Sequence, residues 1–206
     1  MSNLEKEFKI ILEFEKDNPG SLSYPKKAKY ERLGIEHKNL LKNKFKTNRN
    51  KLFSITKTAP DNAVYSFLKN KFNYTDEEIK LVIKYHNAAM GSENIIGHYL
   101  EEFINENLVN KNWVWCSGNI LDKIDFIQKI NNKSNLKWRA FQVKNSSNTE
   151  NSSSKTVRNN TQIEMWFRRV ASKKDTFKWN EIQKITDCKN LTEEAFLKFL
   201  KIKSQQ

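Results

Sequence analysis

NWVWCSGNILDKIDFIQKI (residues 112–130) and LKWRAFQVKNSSNTENSSSK (residues 136–155) are the two stretches around which the chain is organised. Each carries hydrophilic residues where a fully buried strand would not hold them. The first contains Ile124-Asp125-Phe126-Ile127, and the second Trp138-Arg139-Ala140-Phe141-Gln142-Val143-Lys144. Between them, Asn131-Asn132-Lys133-Ser134-Asn135 has the chemistry of a hairpin turn. Residues i and i+2 of a strand share a face, so Gln142 and Lys144 point one way and Val143 the other. In the simplest register Asp125 lies beside them. A carboxylate, an amide oxygen and an ammonium then converge on one edge of a sheet.

The rest of the chain bounds what such an edge could do. The 206 residues make one domain or one and a half, long enough to bury a real core. Hydrophobic residues are 37% and aromatics 12%, as in a folded protein. The net charge of +13 implies a polyanionic partner, most simply nucleic acid, although Lys- and Asn-rich composition also arises from AT-rich genomes. Cys116 and Cys188 form no disulfide framework and match no metal spacing, which fits a reducing, cytoplasmic interior. The charged N-terminus does not read as a signal peptide, and no apolar run reaches membrane-spanning length. Three scattered histidines and two distant cysteines give no zinc ligand set, and no Gly-rich phosphate loop is present.

In chain order, Leu4, Phe8, Ile11, Leu12 and Phe14 predict a helix over residues 3–16, ended by Asn18-Pro19-Gly20-Ser21. Pro25 is expected to open a second helix through Phe45, with a weak point at Gly34. Between residues 37 and 60 there is no acid, while Lys38, Lys42, Lys44, Lys46, Arg49, Lys51 and Lys57 are basic. Such a run is a solvated face or a phosphate-contacting one. Residues 61–72 form a short helix, and Thr75-Asp76-Glu77-Glu78 is a capping box starting another, with His86 at its end. Ser92, after Gly91, is expected to cap a separate helix carrying Glu101 and Glu102. Glu101 borders the apolar face and could lend the hairpin a second carboxylate. Residues 113–116 read as a strand, 161–170 as a helix or strand ending in Arg168-Arg169, and Leu191-Thr192-Glu193-Glu194 as the cap of a last helix.

Divalent magnesium takes oxygen ligands, usually one or two protein carboxylates with water and substrate phosphate. Asp125, the Gln142 side-chain oxygen and the Val143 carbonyl could supply three positions, and Glu101 a fourth. Lys144 could orient or help deprotonate an attacking water and offset charge at phosphorus. The reaction would be phosphodiester hydrolysis. The polar segment after Lys144 reads as a nucleic-acid-binding loop, with Asn145, Asn148, Asn151, Ser152, Ser153, Ser154 and Lys155 as hydrogen-bonding candidates. Arg158, Arg168 and Arg169 are further DNA-binding candidates.

Asp125 followed by Gln142-Val143-Lys144 resembles the PD-(D/E)XK nuclease superfamily, in the variant where glutamine replaces the acid before the lysine. Gly97-His98-Tyr99-Leu100-Glu101 resembles the upstream helix that contributes a glutamate. Gln142-Val143-Lys144-Asn145, Glu150-Asn151-Ser152-Ser153-Ser154 and Trp166-Phe167-Arg168 are similar to the SinI-type class of type II restriction endonucleases, over about residues 91–170. The chain departs from the pattern in having Ile124, not proline, before Asp125; Asp122 is the rival aspartate. The resemblance implies an α/β (α+β) fold, a central mixed sheet flanked by helices. It implies Mg2+-dependent cleavage of double-stranded DNA at a short specific site, a companion methyltransferase and a two-fold homodimer. Residues 1–90 would be a helical subdomain for dimerisation or DNA embrace, and residues 91–206 the catalytic core. A non-cleaving DNA-binding protein and a repair or structure-selective nuclease are the alternatives.

Overall fold

The computed structural model describes the chain apart from residues 1, 26, 56–60, 131–137, 148–156, 159, 160, 174 and 206, with backbone alone at 157, 158, 161 and 162. The expected turn at residues 131–135 therefore lies outside the described residues. The elements are α1 (Asn3–Asp17), α2 (Ile35–Asn48), α3 (Asn62–Phe72), α4 (Asp76–Leu108), β1 (Trp113–Trp115), β2 (Phe126–Lys129), β3 (Trp138–Ser146), β4 (Val157–Arg158), β5 (Thr161–Arg169), α5 (Trp179–Thr186) and α6 (Glu193–Lys203). This is the α+β class, with a mixed sheet in the order β1-β2-β3-β5-β4.

The hairpin forms in the register its polar pattern suggests. β2 and β3 are antiparallel with Phe126 opposite Phe141 and Ile127 opposite Ala140, while β3 and β5 run parallel with Ala140 beside Ile163 and Lys144 beside Phe167. The stretch 161–170, left open between helix and strand, is thus strand as far as Arg169. Pleating sorts the side chains between two cores. On one face Val114, Ile127, Trp138, Ala140 and Ile163 pack with Phe8, Ile11 and Phe14 of α1 and Leu41 and Phe45 of α2. On the other, Phe126 stacks on Phe141 at 4.8 Å, and Trp166 meets Trp179 of α5 at 5.2 Å. Phe103 of α4 joins Trp179 and Phe196 there.

The capping signals read at Thr75 and Thr192 hold, and one not read from the sequence joins them. Ser2 and Glu5 form a reciprocal box at α1, Thr75 and Glu78 form another at α4, and Thr192 caps α6. Two expected boundaries are corrected. The second helix starts at Ile35, not Pro25, because Leu33 has φ +62° and Gly34 is its extended N-cap. Buried His37 secures that start: its Nδ1 accepts the Leu33 N–H and its Nε2 lies 3.0 Å from the Ser23 carbonyl. Nor does a new helix begin at Ser92. Its hydroxyl bonds back to the Ala88 carbonyl at 2.8 Å, and α4 continues, so His86 lies within a helix rather than at its end. Gly91 answers a close approach instead: a Cβ there would stand 2.9 Å from the Ser54 carbonyl.

The chain divides into two compact units, Met1–Asn50 with Tyr99–Gln206, and Lys51–His98. The first holds the sheet together with α1 and α2. The division differs from the expected boundary at residue 90, because α1 and α2 carry one face of the sheet's core. The second contains α3 and the earlier turns of α4.

Candidate active site

Asp125 stands at the entry to β2, where the ladder to β3 is still being made. Its N–H donates to the Phe141 carbonyl (3.1 Å), and its own carbonyl accepts the Cys116 N–H (2.7 Å). Its carboxylate then takes over from the backbone: Oδ2 accepts the Val143 N–H at 2.7 Å. Alternate residues of β3 face alternate neighbours, so the Val143 carbonyl turns toward the same side as this carboxylate. The register also puts Asp125 across from Gln142, on the face shared by Gln142 and Lys144. Trp138 and Ala140, earlier on that face, are buried; Gln142 and Lys144 are only half-buried. The strand leaves its cover at the two candidate residues, Gln142 and Lys144.

Burial pushes the Asp125 carboxyl up to about 6, while the Val143 N–H and the Lys144 ammonium pull it back. Charge here is expensive, and added positive charge at the carboxylate would relieve it. Burial also raises the Cys116 thiol, with Asp125 adding to the shift and Glu7 and Glu101 contributing less.

The two glutamates of α4 separate clearly. Glu101 accepts the Trp115 indole N–H at 2.8 Å, which ties it to β1. Glu102 is paired with Lys203 of α6 at 2.6 Å. Asp122 is exposed in the loop before β2, its N–H bonded to the Ser21 carbonyl, and stands outside the hairpin ladder. Among the described residues no group of three or more His, Cys, Asp or Glu gathers around a point. Asp125, Gln142 and the Val143 carbonyl nonetheless offer oxygen donors of the kind magnesium prefers, so the residues present fit such an ion.

The DNA-binding candidates fall into three groups. Asn148, Asn151, Ser152, Ser153, Ser154 and Lys155 lie outside the described residues, and Arg158 contributes backbone to β4. Arg169 is exposed at the end of β5. Asn145 and Arg168 are engaged with each other: Arg168 Nε donates to Asn145 Oδ1 at 2.8 Å and Nη1 to Glu193 Oε1 at 2.6 Å. The other Glu193 oxygen accepts the Trp179 indole N–H. Sequence reasoning missed this knot, reading Glu193 only as part of a helix cap. It also grouped Arg49 with the exposed lysines, whereas Arg49 pairs with Glu7 at 2.7 Å and lies over Phe45 and Trp115. No local signal marks either residue, since both partners come from distant elements.

Similarity to known proteins extends well beyond the candidate hairpin. The SinI restriction endonuclease family model matches residues 1–204. The type II restriction enzyme Eco47I of Escherichia coli is 35% identical over 201 residues, 96% of this chain and 86% of that enzyme. The type II restriction enzyme SinI of Salmonella infantis is 34% identical over 200 residues, with the same coverage. With a mixed sheet presenting Asp125, Gln142 and Lys144 on one face and a family match over nearly its whole length, the chain belongs to the SinI restriction endonuclease family.

Proposed function

We propose that this protein hydrolyses phosphodiester bonds of double-stranded DNA at a short specific sequence, using Mg2+, as a cytoplasmic two-fold homodimer. The family supports the activity, and the net charge of +13 suits a polyanionic substrate. A duplex has two antiparallel strands, so two copies related by a two-fold axis put one centre on each. The exposed apolar side chains of the N-terminal half, Phe67 and Val64 among them, support a dimerising role within residues 1–90.

In this reading Asp125, the Gln142 amide oxygen and the Val143 carbonyl would hold the magnesium, and Glu101 would add a second carboxylate directly or through water. Bound there, the ion supplies positive charge that makes a water more acidic and offsets charge on the phosphate. Lys144 orients the attacking water and stabilises the negative charge that builds on the phosphoryl oxygens. Water adds to phosphorus and one ester oxygen leaves. The observation that carries the assignment is the buried Asp125 carboxylate, bonded to the Val143 N–H, with Lys144 as the cation that lowers its pKa.

Digestion of a plasmid of known sequence with and without magnesium tests it. Discrete, magnesium-dependent fragments are expected from the wild type, and none from Lys144→Ala, which should still bind the same DNA. Nicking by Lys144→Ala near the wild-type rate would defeat the assignment. Unchanged cleavage by Asp125→Ala would move the site to Asp122.

A further inference from the structure

We infer that Arg168 works on the reaction through Asn145 and not by touching DNA: it is a positioning residue that presents the Asn145 amide as a hydrogen-bond donor to a DNA phosphate. The inference rests on the restriction endonuclease reading and adds a role that the positive charge of Arg168 conceals.

The Arg168 side chain is 12% exposed. Its guanidinium lies 5.4 Å from both the Phe177 and Phe196 ring centroids. Nη1 is directed at Glu193, a charge partner that is itself mostly covered. Arginine has only donors, so the atom of Asn145 facing Nε must be the oxygen. That choice fixes the amide. Its Oδ1 is used, and its Nδ2 donates to no described residue. Phosphate oxygens are acceptors only, so an amide nitrogen whose partner oxygen is already taken by Arg168 suits the DNA backbone, and the bond to charged oxygen is a strong one.

Asn145 directly follows Lys144 near the end of β3, with its side chain on the opposite face of the strand, so it is linked to Lys144 through the backbone. The same strand end is latched to the end of β5 by the Ser147 N–H on the Arg169 carbonyl (3.2 Å) and the Ala171 N–H on Ser147 Oγ (3.0 Å). Asn145 and Arg168 also face each other across neighbouring strands, since Lys144 pairs with Phe167. The knot therefore fixes both the amide and the point at which the chain leaves Lys144. Lysine at 168 would keep the charge but lose the rigid fork that serves Asn145 and Glu193 together.

The test compares Arg168→Lys, Arg168→Gln, Asn145→Ala, Asn145→Asp and the double variant Arg168→Lys/Asn145→Ala. Cleavage is measured on a plasmid of known sequence, and affinity on a duplex carrying the mapped site over a range of salt without magnesium. Each single variant is expected to lose about tenfold or more in cleavage. Both Arg168 variants should keep the wild-type slope of log affinity against log salt, because no phosphate contact of Arg168 is lost. Asn145→Asp, which keeps the acceptor but has no donor, should lose at least as much as Asn145→Ala. The double variant should be no worse than the worse single one.

The inference is overturned if Arg168→Gln lowers the slope by about one unit and Arg168→Lys restores it, the signature of a direct phosphate contact. Wild-type cleavage by Asn145→Ala, or additive losses in the double variant, overturns it equally. If Arg168→Gln does not fold because Glu193 is left without a cation, the Asn145 variants decide alone, since they leave the Arg168–Glu193 pair intact. Should the wild type give no discrete fragments, the restriction reading falls, and the salt slopes on a generic duplex still decide whether Arg168 meets phosphate.

Discussion

The two compact units use their apolar residues in opposite ways. Met1–Asn50 with Tyr99–Gln206 buries Trp115, Trp138 and Trp166 almost completely, on the two faces of one sheet. In Lys51–His98, α3 has no buried residue, and Leu52, Phe67 and Tyr85 are 74%, 61% and 65% exposed. Hydrophobic content is thus a poor guide to which segment buries its apolar side chains. The candidate chemistry sits in the unit whose core can hold a carboxylate 2.7 Å from a backbone N–H. A catalytic constellation tolerates little displacement, so the packed unit is where it belongs.

The sharpest way to break this contrast is to remove one lysine from each unit. Lys144→Ala is expected to lower cleavage by about 10³-fold or more, the scale of losing a positioned proton-transfer or charge-stabilising group. Lys84→Ala, at an exposed position of α4, should change it no more than about threefold. Equal losses at both would mean that Lys144 contributes only to overall charge. A second contrast concerns stability. Trp138 meets Phe14 edge-on at 5.3 Å, and its indole donates to Asp17 at 2.9 Å. Trp138→Ala should cost about 3–5 kcal/mol, a drop of roughly 10 °C in Tm by calorimetry. A drop under about 2 °C would contradict the packed core.

Features decided by near neighbours were legible in the sequence. The reciprocal caps of Thr75 and Glu78 need only one turn of chain, and the α6 cap likewise. The alternation Trp138, Ala140, Gln142, Lys144 foretold both the strand and the face on which its polar residues emerge. What depended on tertiary contact was hidden. Gly91-Ser92 has the look of a helix start, but the glycine is there for the Ser54 carbonyl and the helix runs on. Arg168 had the look of a phosphate contact, since the groups that reach it, Asn145, Glu193 and two aromatic rings, come from three separate segments. Helical spacing already favoured Glu101 over Glu102, but their partners, Trp115 and Lys203, could not be read from the sequence.

The third contrast is in pH. Asp125 is an acid whose folded pKa of about 6 lies above its ordinary 3.8. Between those values the native chain keeps a proton that the unfolded chain has lost, so this residue makes stability fall as pH rises through about 4 to 6. Above pH 6 its ionised form is a standing cost, on the order of 1–3 kcal/mol. Asp125→Asn removes that cost. It should melt higher than the wild type at pH 7 in metal-free buffer, match it near pH 3.5, and not cleave. Magnesium should raise the wild-type Tm at pH 7 more than at pH 5, and leave the variant nearly unmoved. A variant less stable than the wild type at pH 7 would show that the Val143 bond outweighs desolvation.

The smallest expected effect returns to the other unit. Phe67 projects from α3 with 61% of its surface exposed, and touches Phe72 edge-on at 6.3 Å. Phe67→Ser exchanges an exposed ring for a hydroxyl and opens no cavity, so folding stability should change by no more than about 0.5 kcal/mol. Trp138 and Phe67 are both aromatic, and the gap between their costs measures how differently the units use such residues. Self-association should respond where stability does not. If residues 1–90 carry the dimer contact, sedimentation will show weaker association for Phe67→Ser, and cleavage of both strands in one event will give way to nicking. An unchanged dimer at all concentrations would place the two-fold contact elsewhere and leave the α3 aromatics as ordinary exposed surface.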